Sequence, residues 1–247
     1  GDSLGGGTFE LNYLNPVIFL RPLESNIGSP DNAMIGIDFK FNFLKHFLLY
    51  GQIFIDEFVI DEIRHYNNGS WKNKEALQLG LKYIDVAGVS NLDYQIETNL
   101  ATPYTYSHMS NFTSYTNFDQ PLANPLGANF YEVINIIRYQ PIPRLNLNAK
   151  SIISVIGYDD QTHFWGNDIT RSYLTRVMDY ENKLAQGNRA TLYYTELSAS
   201  YQIMHNLFAD LSVIYRNQTS DVQRLKSKMT YTSLGIRWNI AKRRNEF

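Results

Sequence analysis

Two segments of this 247-residue chain carry side chains suited to holding a ligand. Residues 102–126 contain Tyr104, Tyr106, His108, Phe112, Tyr115 and Phe118 among serines, threonines and asparagines. Residues 158–189 add Tyr158, Asp159, Asp160, His163, Trp165, Asn167, Asp168 and Arg171. Aromatic faces pack against the C–H surfaces of sugars, while short amides, hydroxyls and carboxylates bond ring hydroxyls, so this mixture suits saccharide binding. The glycan-contact candidates are Tyr104, Tyr106, His108, Tyr115, His163, Trp165 and Arg171. The same aromatics could equally fold on one another and fill the space beneath the loops. Residues 168–184 read as a helix, with Asp168 as N-cap and Gly187 closing it.

Other clusters are thinner. Pro22 holds Arg21 extended, which aims the guanidinium at a carboxylate. That carboxylate belongs either to the chain, where Glu24 and Asp31 are near in sequence, or to an acidic sugar; a structural pair pinning the loop is the simpler reading. Asp56, Glu57, Asp61 and Glu62 form an acidic run that could hold Ca²⁺ or bridge lipopolysaccharide, but without EF-hand spacing it reads first as a solvated rim. Cysteine is absent, which excludes disulfides and thiolate metal sites. No Gly-x-Ser-x-Gly elbow or His-x-x-x-His pair occurs, and no spacing joins His108 or His163 to a loop Ser and Asp. The expectation is therefore a non-enzymatic protein with no catalytic residues, metal or cofactor.

The elements that must position these loops show period two. Alternating apolar and polar residues run through segments near 9–19, 33–43, 49–56, 77–83, 92–100, 145–155, 193–203, 207–218 and 229–240, with a noisier one at 128–140. About ten strands result, most long enough to cross a bilayer when tilted. Their polar faces collect Asp38, Lys40, Lys82, Asp93, Glu97, Glu132, Arg138, Lys150, Glu196, Asp210, Arg216 and Arg237, mixed signs that suggest a filling network rather than a selectivity filter. Tight connections near 44–47, 86–90, 141–144 and 204–206 alternate with longer ones near 20–32, 59–74, 102–126, 158–189 and 219–227. No run of about 18 apolar residues exists, so no helix is expected to span a membrane. With 22 basic against 24 acidic residues, no nucleic-acid footprint exists either.

Long loops at one end and short turns at the other are the habit of an outer-membrane β-barrel, with short turns and both ends of this chain on the periplasmic side. Aromatics near strand ends (Tyr13, Phe43, Phe47, Phe58, Tyr83, Tyr139, Tyr158, Tyr201, Tyr215, Trp238) and a terminal Phe247 fit such a barrel. A soluble β-sandwich or lipocalin-like barrel is the alternative. The chain opens without a Met or a signal-like segment, so Gly1 reads as a processed end or the start of a fragment.

Asn12-Tyr13-Leu14-Asn15-Pro16-Val17-Ile18-Phe19-Leu20-Arg21-Pro22, followed by Gly28-Ser29-Pro30-Asp31-Asn32-Ala33, resembles the Wzi-type capsule-assembly family of Gram-negative outer-membrane proteins. Asp179-Tyr180-Glu181-Asn182-Lys183-Leu184-Ala185-Gln186-Gly187 is similar to a second segment of that family, in a long extracellular loop. The likeness is to the Bacteroidota branch, which includes the gliding-motility protein RemB. It implies an antiparallel transmembrane β-barrel in the bacterial outer membrane, in contact with lipid and lipopolysaccharide, that binds or organises surface polysaccharide as an outer-membrane lectin does. Family members are longer and their barrels larger, so residues 1–247 would form one barrel domain or the C-terminal portion of one. Two further readings stay open: an accessory subunit of a gliding-motility or secretion assembly, touching other outer-membrane proteins, and a passive porin-like channel.

Overall fold

The computed structural model describes residues 34–56 and 68–239, all within one compact unit, Asn32–Phe247. The strand expected near 9–19 lies outside the described residues, as do Arg21, Glu24, Asp31, Glu57, Asp61, Glu62 and Phe247. Among the described residues there is no α-helix, and no helix is long and apolar enough to cross a membrane.

Nine strands form one antiparallel sheet: β1 (Met34–Phe43), β2 (Phe47–Asp56), β3 (Glu75–Tyr83), β4 (Leu92–Ala101), β7 (Phe130–Ile142), β8 (Leu145–Tyr158), β9 (Asn188–Met204), β10 (Leu207–Ser220) and β11 (Ser227–Trp238). A small hairpin, β5 (Thr116–Asn117) with β6 (Gln120–Pro121), stands in the connection from β4 to β7. Within the large sheet every strand pairs with its neighbour in chain order, and β1 and β11 are the flanking strands.

The period-two pattern explains the register. Phe43, Phe47, Tyr83, Tyr94, Ile137, Ala149, Leu197, Val213 and Thr232 are successive cross-strand partners through all nine strands. Asp38, Gln52, Gln78, Asn99, Glu132, Ser154, Leu192, Gln218 and Ser227 make a second such row on the opposite face. A one-residue slip of any strand would exchange the two faces, so the pattern specifies the pairing. The apolar face is open over most of its extent, with Ile37, Phe41, Ile53, Ile153, Leu197, Leu211, Leu234 and Ile236 all exposed.

The buried core lies at the end of the sheet with the long connections, and on the polar face. There the cross-strand row Phe54, Ala76, Ala101, Phe130, Ile156, Ala190 interrupts the polar pattern. The alanines leave room for the connections to fold down on the sheet, and Tyr106, Ala128 and Ile169 pack into that row. Further along the same face charges of both signs pair locally. Arg237 donates to Asp210 at 2.8 Å, and Lys82 and Lys150 sit over the rings of Tyr50 and Tyr194.

Three expectations need correction. The connection expected to be tight near 86–90 is not: residues 84–91 outnumber residues 221–226 of the opposite end, although every connection between described strands at that opposite end is longer than its neighbours in the chain. The former hold a 3₁₀ turn, Val86–Gly88, so that end is not uniformly tight. Second, residues 168–184 form no α-helix, only a 3₁₀ turn at Tyr173–Thr175 capped by Ser172. Asp168 directs its carboxylate to Thr170 N and Oγ1 (3.0 and 2.6 Å); the Arg171, Thr175 and Arg176 N–H groups close only single i to i−3 turns, while those of Tyr173, Glu181 and Asn182 bond to His108 O, Asn68 O and Gly69 O of other loops. Third, Asp56 is no solvated rim charge: it is 0% exposed and accepts from the Tyr106 backbone N–H at 2.7 Å. A carboxylate at a strand end serves as an anchor for the loop that crosses above it.

Candidate functional site

Residues 68–74, 102–129 and 159–187 interlock into a cap over the polar face at the long-connection end. Asn129 is the central tie. Its Nδ2 donates to the carbonyls of Gly157, Gln186 and Trp165 (2.7, 2.9 and 3.3 Å), and its Oδ1 accepts from Gln186 N at 3.1 Å. Asn167 Nδ2 donates to Leu126 O and Ala128 O (2.9 and 2.7 Å), and Asn182 Nδ2 to Gly69 O at 3.0 Å. Asparagine amides thus satisfy carbonyls that the irregular backbone leaves without ladder partners. Around Trp71 the cap is held by cations: Arg176 lies over its ring at 4.1 Å, and Lys74 sits 4.2 Å from the Tyr173 ring centre.

Beneath the cap, against the sheet, lies a cavity of about 650 Å³. Its sheet side carries Gln52, Gln78, Glu97, Asn99, Glu132 and Ser154; its other side carries Tyr106, Tyr115 and residues 122–126. Phe54, Tyr106 and Tyr115 form a tilted aromatic cluster, with ring centres 5.3 to 6.0 Å apart. The carboxylates are tied into the sheet. Glu132 accepts from Asn99, Asn124 and Ser154 (3.0, 3.2 and 3.2 Å), while Glu97 accepts from Tyr50, Gln78 and Asn99. Aromatic faces opposed to oriented amides and carboxylates, in a volume typical of small-molecule sites, can hold a polar ligand that also has an apolar surface.

The seven loop candidates divide into three groups. Tyr106 and Tyr115 line the cavity. Tyr104 and His108 are structural. The Tyr104 ring is wholly buried, edge-on to Phe164, and its hydroxyl donates to Phe164 O at 3.2 Å. His108 is buried edge-on to Tyr173, with its Nδ1 2.7 Å from Thr113 Oγ1. Neither ring keeps a face for a sugar. His163, Trp165 and Arg171 form a separate surface group, in which the His163 and Trp165 rings stack at 5.9 Å and Arg171 donates to Asp160 O at 3.1 Å. Tyr104 and Tyr106 both adopt left-handed backbone (φ 68° and 71°), which is costly for bulky residues.

Electrostatics distinguish the two loop carboxylates. Burial pushes the Asp159 carboxyl above its ordinary range, although the N–H groups of Asp168, Trp165 and Asn167 and the charge of Arg171 pull the other way. Asp160 is held well below the usual carboxylate range by the hydroxyl and N–H of Thr162, then by His163. Burial also raises the Tyr104 phenol to about 12, and raises Tyr106 further, with help from the charge of Asp56. Among the described residues, no group of three or more His, Asp or Glu is placed to hold a metal ion.

Sequence reading missed Phe54, Gln52, Gln78, Asn99 and Asn124 as site residues. Glu97 and Glu132 were visible only as members of a polar face. The one usable signal was the row of alanines at strand ends, which marks where something must lie close above the sheet. Comparison with known proteins finds no family model and no curated protein that matches the chain.

Proposed function

We propose that this chain is an outer-membrane β-barrel, or the C-terminal portion of one, that binds or organises surface polysaccharide through its capped end and catalyses no reaction. The observation that carries the reading is the aromatic-and-amide cavity under the cap, on the face opposite an open apolar sheet surface. An exposed apolar face spanning nine strands far exceeds the patches soluble monomers show and suits contact with lipid. Glu97 and Glu132 are each engaged by several donors within the sheet, an arrangement that orients a ligand rather than shuttling protons. The test is binding of the detergent-purified full-length protein to polysaccharide from its source cells. Ala123→Trp, at an exposed lining position, is the blocked control, with folding checked by heat-modifiable gel mobility. Saturable binding lost in that variant supports the reading; no binding by the folded wild type refutes it.

One observation favours a second reading, an accessory subunit of a motility or secretion assembly. Phe118 is 93% exposed at the tip of the β5–β6 hairpin, in left-handed backbone (φ 49°). An aromatic presented on so short a hairpin suits insertion into a partner protein. Co-purification of a defined subunit that Phe118→Ser releases would support this reading.

A further inference from the structure

Resting on the saccharide reading, we infer that the cavity takes an uncharged or amine-bearing sugar end and rejects an acidic one. Among the described residues lining it are two carboxylates, Glu97 and Glu132, and no Lys, Arg or His. Both acids are tied by neutral amide and hydroxyl donors, so among the described residues no counter-charge sits in the cavity with them. Cations of that face, Lys82, Lys150 and Arg138 among them, stand outside the lining. Lys82 lies 5.5 Å from the centre of the Tyr50 ring, and Arg138 reaches Gln95 Oε1 at 3.4 Å. Two negative charges facing low-dielectric aromatic walls focus a negative potential into the space between them. A sugar carboxylate entering that space meets repulsion from both, whereas an ammonium gains from the carboxylates and from the faces of Tyr106 and Tyr115. A neutral sugar loses nothing, because amides and acids both bond hydroxyls.

The experiment measures binding of glucose, glucosamine and glucuronate to the detergent-purified full-length protein by calorimetry or ligand-observed NMR. Glucose and glucosamine should bind, with glucuronate weaker on the order of tenfold or more. Leu122→Lys places a cation at the exposed edge of the cavity without touching the sheet, and should raise glucuronate affinity relative to glucose. Ala123→Trp should abolish binding of all three. Glucuronate binding as tightly as glucose in the wild type, with Ala123→Trp still blocking both, overturns the charge selectivity and leaves the saccharide reading intact. If no sugar binds to the folded protein, the saccharide reading falls, and the selectivity with it.

Discussion

Leu197 offers a sharp test of where the apolar face resides. It lies mid-strand in β9, 54% exposed, between cross-strand partners Ala149 and Val213. Tyr193 and Tyr201 flank it at four residues on either side, both exposed on the same face. At about 3.3 Å per residue the two tyrosines stand about 26 Å apart along the strand. A strand tilt of about 40° reduces this to about 20 Å across a bilayer, close to the ~25 Å apolar band of outer-membrane barrels. The proposed placement therefore puts Leu197 near the midplane and Tyr201 near an interface. Leu197→Arg should then cost about 2–4 kcal/mol of folding stability in lipid, while Tyr201→Arg costs about 0–1 kcal/mol. If the same face met water, both would fall within about 0.5 kcal/mol of wild type, because neither side chain is packed in a core. The assay is urea-dependent folding of the full-length protein into short-chain lipid vesicles, followed by fluorescence and heat-modifiable mobility. Equal costs at the two positions, or a Leu197→Arg cost below about 0.5 kcal/mol, would refute the bilayer placement.

The cap yields the remaining predictions. Asn129→Ala removes bonds to three carbonyls and one N–H, of which Trp165 O keeps the Gln186 side-chain amide as a donor, and should lower the opening free energy of residues 159–187 by about 2–4 kcal/mol. Amide hydrogen exchange in that segment reads the change, and unaltered protection would show that Asn129 is not the tie. Gly187→Ala introduces a Cβ only 2.4 Å from Trp165 Cγ at φ 85°, so it should cost about 2 kcal/mol or more and shift Trp165 fluorescence. The depressed Asp160 carboxyl predicts a pH effect whose sign follows from linkage. The turn it forms with Thr162 and His163 is stabilised above the ordinary carboxyl value of 3.8 and loses that contribution as pH falls through the lower folded value. Thr162→Ala should move the Asp160 midpoint, read by carboxyl NMR, back towards the ordinary value.

How much was legible in the chain depended on the range of the interaction that decides each feature. The nine described strands, their pairing order and their two faces follow from period-two alternation and short hairpins, which are local properties of the sequence. The strand ends did not: β8 and β9 keep pairing with each other as far as Tyr158 and Asn188, beyond the end of the alternation. The expected helix at 168–184 failed for the same reason, since distant partners such as Asn68, Gly69 and Trp71 take the hydrogen bonds a helix would have kept internal. Composition alone identified which loops were rich in aromatics and amides. Only the tertiary structure decided that Tyr104 and His108 are interior supports, that Tyr106 and Tyr115 face a cavity, and that the opposite wall is Gln78, Asn99 and Glu132 from the sheet. Those residues are far apart in sequence and share no spacing rule. Their meeting is set by cross-strand register and by the carboxylate of Asp56 and the amide of Asn129, which hold the loops down on the sheet.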